Sequence, residues 1–262
     1  MPYICKTVRT KHVDFVVKNK CFYYNPEQAK GKRAVRRCPT GESKQQQNRR
    51  AAYLKRKYHI YENFDVGDMW VTLTYSKPTE LEPEEAHRNL MCVLSKIRKK
   101  LARKGIPLTY YIKTEAGERT RAHHHLFIKN NFDVIGVLWS YWKEFGKIRD
   151  FREIYDFTSG KLVKYFLDGG MHKGLSFEKY AHSRNLREPV VEVRIYPFNS
   201  FRAIPRLPKA QDGMQYILQN LYNGFPDLDG FIYQEYELIK IPLGAVFEDD
   251  KAGGAEPRPY EV

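Results

Sequence analysis

Three consecutive histidines, His123, His124 and His125, are the residues whose type and spacing most directly suggest chemistry. They lead into the apolar residues 126–128, a pattern typical of a β-strand. Because side chains alternate along a strand, His123 and His125 should share one face while His124 points to the other. Neutral imidazole nitrogens are good ligands for divalent metals, so His123 and His125 predict a metal-binding site on one face of the sheet. A surface strand with a chance histidine cluster is the alternative.

Tyr165 is the candidate nucleophile. It lies within residues 161–172, which predict a helix. On a helical wheel of about 100° per residue, Tyr165 falls beside Lys161 and Lys164, opposite the apolar positions. The positive charge of these lysines favours a phenolate or a bound phosphate. An ordinary exposed tyrosine on an amphipathic surface helix is the alternative, in a chain with 19 tyrosines.

The elements that must position these residues indicate an antiparallel sheet with helices. Strands are predicted at residues 68–75, 108–115, 121–129 and 148–154, and helices at 82–104 and 133–146. The short link at 116–120 makes the second and third strands a hairpin. The order strand, helix, strand, strand, helix, strand matches the split β-α-β arrangement of ferredoxin-like domains. The predicted fold class is therefore α+β: a ferredoxin-like or RRM-like antiparallel sheet with helices on one face and the other face open for a site.

The charge balance predicts a polyanionic partner. The 262 residues include 45 lysines and arginines against 31 acidic residues, and 14% are aromatic. Excess positive charge favours polyanions through counterion release, and aromatic rings can stack on unpaired bases. No apolar run approaches the ~20 residues that span a bilayer, and the first residues lack the apolar stretch of a secretory signal. We therefore expect nucleic acid as the partner, no membrane partner and a cytoplasmic location.

The cysteines do not indicate a zinc site. Cys5, Cys21, Cys38 and Cys92 show no C-x-x-C pairing, so zinc-finger spacing is absent. Reduced thiols are the default for a cytoplasmic protein. A mixed site of Cys21, Cys38 and His12 stays open, although the spacing does not support it.

Three blocks, in this order, resemble the motifs of HUH endonucleases, and within them the rolling-circle replication initiator (Rep) proteins of small plasmids, phages and integrative elements. Residues 70–75 (WVTLTY) resemble the first motif, residues 121–125 (RAHHH) the second, and Lys164-Tyr165 the third. Residues 183–189 (SRNLREP) also resemble a segment that follows the tyrosine helix in some initiators. The resemblance spans about residues 45–189.

The resemblance implies metal-dependent nicking and rejoining of single-stranded origin DNA. In the family, two histidines and a carboxylate or amide hold Mg²⁺ or Mn²⁺, which polarises the scissile phosphate. A tyrosine then attacks, leaving a 5′-phosphotyrosine link and a free 3′-OH. Carried over to this chain, His123 and His125 are metal ligands, Tyr165 is the nucleophile and Lys164 is its electrostatic helper.

The resemblance also implies an acidic third metal ligand several residues upstream of the histidines. Glu115, at the end of its strand and on the opposite edge of the hairpin, is the favoured third ligand, with Glu118 as the runner-up. No P-loop pattern appears, so unwinding of an origin hairpin would need a host helicase. Contacts with single-stranded DNA are expected from Arg119, Arg121, Lys161, Trp70 and Thr72.

This sequence departs from the family pattern at two places. His124 stands where the second motif has an apolar residue, so the ligand pair could be shifted by one position, and a polar ring on the core face would need a hydrogen-bond partner. Lys161 stands where some relatives carry a first tyrosine, and Asp168 where a lysine is usual. These changes favour a single-tyrosine enzyme, or else leave Tyr165 as the second tyrosine of an ancestral pair.

The rest of the chain predicts extensions around an HUH nuclease domain at residues 51–200. Residues 1–50 form a basic N-terminal extension with β-like pieces near 14–17 and 21–24, and a basic helix at 45–59 either lies on phosphates or is simply solvated. A strand is predicted at 190–196. Residues 201–246 are expected to form a C-terminal extension packed on the nuclease domain, with a helix at 211–221 and a strand at 231–241. Residues 247–262 are expected to form a disordered tail.

Two rival functions stay open. A transposase or conjugative relaxase of a mobile element would use the same chemistry. A non-catalytic single-stranded nucleic-acid-binding protein would keep the sheet without the reaction.

Overall fold

The protein is described here by a computed structural model. The structure describes residues 2–20, 42–76, 81–117, 120–131, 134–168, 175–224 and 233–245. Cys21, Cys38, Glu118, Arg119, the β-like piece near 21–24 and the predicted tail at 247–262 lie outside these ranges.

A central five-stranded antiparallel sheet contains the histidine strand. Its strands, in chain order, are β3 (Met69–Tyr75), β4 (Tyr110–Gly117), β5 (Thr120–Ile128), β6 (Gly146–Glu153) and β7 (Leu175–His182). They are arranged in space as β6-β3-β5-β4-β7. Helix α2 (Pro83–Ala102) connects β3 to β4, and helix α3 (Val134–Trp142) connects β5 to β6. The predicted α+β order of strands and helices is confirmed, and β7 is an additional strand that the sequence did not predict.

One face of this sheet is an apolar core. Along β3, Val71 and Leu73 point to this face and are fully buried, as is Leu126 of β5. Helix α2 presents Leu90 and Leu94 to the same core, one helical turn apart. Removing these side chains from water is the main stabilising contribution on this side.

Two further helices pack against part of the opposite face: α1 (Glu42–Asn63) and α4 (Lys161–Asp168). The contacts are aromatic, with the ring of Phe166 in α4 lying 5.1 Å from that of Phe127 in β5 and the ring of Phe64, just after α1, 5.5 Å from the same ring. The predicted arrangement, with helices on one face of the sheet, therefore holds for α2 and α3 but not for α1 and α4. Among the described residues, the side chains of His123 and Tyr165 on this face are partly exposed.

A second antiparallel sheet joins the two ends of the described chain. Its strands are β1 (Tyr3–Arg9), β2 (Val13–Lys20), β8 (Val190–Tyr196), β9 (Met214–Asn223) and β10 (Gln234–Pro242), in the spatial order β8-β1-β2-β10-β9. Strands from both predicted extensions thus share one sheet with β8. The predicted domain boundaries at residues 50, 200 and 246 stay predictions.

The predicted helix at residues 211–221 is wrong. This segment is strand β9, paired with β10 so that Leu218 lies opposite Leu238. Asp212 and Gly213 both have positive φ, which starts a turn rather than a helix. Periodicity in so short a segment does not separate helix from strand, and here the distant partner strand decides the outcome.

Candidate functional site

The register of the central sheet places both outer histidines beside one carboxylate. His123 lies opposite Glu115 of β4. His123 Nε2 and His125 Nε2 lie 3.0 and 3.2 Å from the same atom, Glu115 Oε1. One ligand atom from each of the three residues lies within 4.8 Å of the others, which makes them a possible metal-binding group. The favoured ligand set is thus assembled in space, whereas Glu118 lies outside the described residues.

The second nitrogen of each ring tests whether the group suits a metal. His123 Nδ1 lies 3.0 Å from the backbone carbonyl oxygen of Arg121, and His125 Nδ1 lies 3.1 Å from Thr72 Oγ1. Metal-binding histidines usually donate their other N–H to an oxygen acceptor of this kind, which fixes the tautomer. In that tautomer both Nε2 atoms would offer their lone pairs to a cation, whereas a protonated Nε2 would instead donate a hydrogen bond to Glu115. Two imidazoles and one carboxylate, oriented in this way, fit a divalent cation.

His124 points to the opposite face, as the alternation predicts, and lies in the core without any exposure. Its Nε2 lies 3.1 Å from the hydroxyl of Tyr75, which donates to the carbonyl of Ala86. Its Nδ1 lies 2.9 Å from Thr114 Oγ1, which in turn lies 2.8 Å from His87 Nδ1. If His124 is neutral with its proton on Nε2, every hydrogen-bond donor and acceptor in this series has a partner. The hydrogen-bond partner that a polar core residue requires is therefore present, and His124 is not part of the group formed by Glu115, His123 and His125.

A lysine with no exposed surface, Lys113, lies beneath the candidate ligands. Its ammonium is 2.6 Å from Glu115 Oε2 and 2.9 Å from Glu178 Oε1. A buried lysine needs such partners because the low dielectric of the interior penalises an isolated charge. The hydroxyl of Tyr180 lies 2.7 Å from Glu178 and 3.1 Å from the carbonyl of Leu167, at the end of α4. This polar chain connects the Glu115 carboxylate to the helix that carries Tyr165.

The protonation states at the site follow from burial and from these pairs. Burial alone would raise the pKa of Glu115, but hydrogen bonds from His123, His125 and Lys113 hold that pKa well below its ordinary value. Burial disfavours the charged form of both histidines. At His123 the adjacent carboxylate outweighs burial and raises the pKa, whereas at His125 burial prevails and lowers it. A charged carboxylate and a neutral His125 are the forms that metal binding requires.

Tyr165 lies on α4 directly beside this group. Its ring centroid is 5.7 Å from that of His125 and 6.0 Å from that of Trp70, and 45% of its surface is exposed. The helix has the predicted amphipathic character, because Val163 and Phe166 are buried while Tyr165 faces solvent. The tyrosine is thus held at the edge of the candidate metal site by the apolar side of its own helix.

The start of α4 is fixed by a compact loop. The Asp156 carboxylate accepts hydrogen bonds from the backbone N–H and the hydroxyl of Thr158, each at 2.6 Å. Gly160 has a φ of +66°, a conformation that glycine adopts without steric cost. The described helix ends at Asp168, and the rest of the predicted segment, including His172, lies outside the described residues.

The residues expected to contact DNA lie in two different environments. Lys161, Lys164 and Arg121 are exposed. Trp70 is 1% exposed and Thr72 is 7% exposed, so in this conformation they support the rings of Tyr165 and His125 from beneath. Their contact with DNA stays a prediction, and Arg119 lies outside the described residues.

Part of the basic run of α1 makes internal contacts. Arg50 and Lys57 pair with Glu235 and Glu237 of β10, and Arg56 lies over the ring of Tyr180 at 3.8 Å. These contacts tie α1 to the second sheet and to the polar chain of Lys113.

Sequence reasoning missed Lys113 and its partners. The signal was present in β4, where Tyr111, Lys113 and Glu115 share one face by the same alternation that was applied to the histidines. The partners Glu178 and Tyr180 lie on β7, which the sequence did not predict.

The mixed site of Cys21, Cys38 and His12 stays untested, because both cysteines lie outside the described residues. Cys5 and Cys92 are free thiols. His12 Nε2 lies 2.9 Å from the carbonyl oxygen of Phe64 and 3.1 Å from Asp65 Oδ1.

Comparison with known families gives one match. Residues 68–170, about two fifths of the chain, match the family model "Replication-associated protein ORF2/G2P". No curated protein and no solved structure matches. Among the described residues, no helix combines the length and the apolarity that crossing a bilayer requires. The matched segment runs from the first strand of the central sheet to the end of the tyrosine helix, and the match supports a Rep-type replication initiator.

Proposed function

We propose that this protein is a rolling-circle replication initiator that nicks and rejoins single-stranded origin DNA through a 5′-phosphotyrosine intermediate. The observation that carries the proposal is the proximity of Tyr165 to the group of His123, His125 and Glu115. The family match supports replication rather than transposition or conjugative transfer.

The ligand chemistry supports a divalent metal requirement. His123, His125 and Glu115 would hold Mn²⁺ or Mg²⁺, and imidazole with a hard carboxylate oxygen accepts either ion. When bound, the ion supplies Lewis-acid stabilisation of negative charge on the scissile phosphate.

The chain's own residues account for the transfer itself. The Tyr165 oxygen forms a bond to phosphorus and loses its proton, while the bond from phosphorus to the 3′ oxygen breaks and the 3′ oxygen takes up a proton. The energy of the broken phosphodiester bond is thereby conserved in the 5′-phosphotyrosine link. Attack by a 3′-OH on that link reverses the step and rejoins the strand.

Positive charge near α4 would assist this reaction. Lys164 precedes the nucleophile and is exposed, as is Lys161 one turn earlier. Ammonium groups there would offset negative charge that develops at the attacked phosphate and attract the phosphate backbone. Because phosphate contacts release counterions, affinity for single-stranded DNA should fall steeply with salt.

The test is Tyr165→Phe, incubated with a randomised pool of single-stranded oligonucleotides and Mn²⁺. The wild type should give a covalent protein–DNA adduct that mass spectrometry maps to Tyr165, and the variant should give none because the attacking oxygen is absent. Tyr141→Phe on α3 is the matched control and should retain the adduct. An adduct that survives Tyr165→Phe would refute the nucleophile, and a wild type without metal-dependent cleavage would indicate a non-catalytic binding protein.

A further inference from the structure

We propose that a cavity beside Tyr165 holds one unpaired base of the DNA strand, adjacent to the phosphate that Tyr165 attacks. This inference rests on the proposed function and names the part of the substrate that the neighbouring cavity recognises.

The location of the cavity supports this role. Tyr165 contacts His125 on one side and lines the cavity on the other, together with Trp70 beneath it. Glu115, His123 and His125 do not line the cavity. A strand whose phosphate lies at Tyr165 therefore has its flanking nucleotide at the mouth of this cavity.

Its size suits one base. The cavity has a volume of about 240 Å³. Sites for drug-sized ligands are larger, about 300–1,000 Å³. The space is thus too small for a folded strand or a dinucleotide, and it opens towards the nucleophile.

Its lining suits a flat aromatic ring. Trp70 and Ile154 form an apolar floor, each at most 2% exposed, with Leu162 of α4 as a wall. Tyr155 stands at the rim with 82% of its surface exposed. An exposed ring beside an apolar floor is the arrangement on which unpaired bases stack.

The polar groups at the rim suit a nucleotide rather than an apolar molecule. The lining contains two basic residues, Arg152 and Lys161, beside two acidic ones, Glu153 and Asp156. The basic side chains can meet the phosphates that flank a base, and the acidic ones can accept hydrogen bonds from a base edge. Arg152 has an ion pair with Asp150 at 3.3 Å, and its fork of five donors leaves further N–H groups for a strand. Ser159 and Glu153 offer polar atoms to a base edge.

The experiment measures the coupling between one base and one ring. A cleaved sequence is first selected from the randomised single-stranded pool with wild-type protein and Mn²⁺. A single abasic nucleotide is then placed in turn at each position flanking the cleaved phosphate. In the wild type, one position should lower kcat/KM for adduct formation by about 10-fold, the effect expected for loss of one stacked base.

In Tyr155→Ala the penalty at that position should fall to about 3-fold, because the contact with the Tyr155 ring is already absent and only the contact with the apolar floor remains. Tyr155→Phe keeps the ring and should keep the full penalty. Trp139→Ala, which removes a 47%-exposed ring from α3 behind the opposite face of the sheet, is the matched control and should also keep it. Tyr155 is so exposed that its substitution leaves the packing of the core intact.

The outcomes separate the two proposals. A full abasic penalty in Tyr155→Ala, or no sensitive position in the wild type, would overturn the base cavity while leaving the nicking activity in place. A wild type that forms no adduct would overturn the proposed function and the cavity's role together.

Discussion

The two faces of the central sheet use the same strand and the same residue type in opposite ways. On the core face, His124 is fully buried, and burial lowers its pKa well below the ordinary value. Its two ring nitrogens form hydrogen bonds with the hydroxyls of Tyr75 and Thr114. On the opposite face, which carries the candidate site, His123 and His125 both contact the charged carboxylate of Glu115.

What differs between the faces is charge. The described hydrogen-bond partners of His124 are neutral hydroxyls, so no charged partner stabilises an ionised ring on the core face. The site face contains Glu115 with Lys113 beneath it, so it is organised around paired charges out of contact with bulk water. A group of this kind is stable only while its charges are matched, and a divalent cation can take part in that matching.

The largest expected effect comes from removing the charge beneath the site. Lys113→Met leaves Glu115 and Glu178 without their buried partner, so we expect the free energy of unfolding to fall by about 3–5 kcal/mol without metal. Saturating Mn²⁺ should recover part of this loss, because a cation then faces the Glu115 carboxylate. Urea denaturation with and without MnCl₂ measures both effects.

Lys179→Met is the control for this change. Lys179 lies on the neighbouring strand β7, and its side chain is 43% exposed and pairs with Glu84. Its loss should cost about 0–1 kcal/mol and show no dependence on Mn²⁺. Equal destabilisation of the two variants would mean that the charge of Lys113 does not support the site.

A second prediction separates adjacent histidines. His125→Ala removes a proposed ligand, so affinity for Mn²⁺ should fall by more than the ~10–100-fold typical of losing an outer partner. Equilibrium titration followed by the electron paramagnetic resonance signal of free Mn²⁺ measures this affinity.

His124→Leu is the matched variant on the core face. It should lower the free energy of unfolding by about 1–3 kcal/mol, because buried hydroxyls lose a partner. Its Mn²⁺ affinity should stay at the wild-type value. If His124→Leu lost Mn²⁺ affinity while His125→Ala kept it, the metal would bind on the core face, and the proposed ligand set would be refuted.

The smallest expected effect concerns the support of one ligand ring. Thr72→Val removes the oxygen beside His125 Nδ1 and keeps the shape of the side chain, so Mn²⁺ affinity should fall by about 10-fold. Thr74→Val, two residues along the same strand, is the control, since the Thr74 hydroxyl bonds to the carbonyl of Lys147 at 3.4 Å instead. If both variants bind Mn²⁺ like the wild type, the hydroxyl of Thr72 does not orient the ring.

Much of the site was predictable because it depends on local periodicity. The alternation of β5 separates His123 and His125 from His124, and the helical wheel of α4 places Tyr165 on the exposed side. Both rules use only the spacing of residues within one element. They therefore hold without knowledge of the neighbouring elements.

The predictions that failed or were missed concern segments whose structure depends on partners distant in sequence. Residues 214–223 form a strand because β10 pairs with them, and β1 and β2 join β8 from the other end of the chain. Such pairings are not encoded in the local pattern, since a short apolar segment suits either a helix or a strand. Lys113 lies on the site face of β4 by simple alternation, but its partner Glu178 belongs to β7.

The sequence by itself determined the candidate chemistry: which residues supply imidazoles, a phenol and positive charge, and which side of its element each one occupies. Tertiary structure decided how these groups meet. It selected Glu115 as the common neighbour of both histidines, placed the Tyr165 ring 5.7 Å from His125 and buried Lys113 below them. The physical reason is that residue type and periodicity are properties of one segment, whereas register, burial and charge pairing arise only when segments pack together.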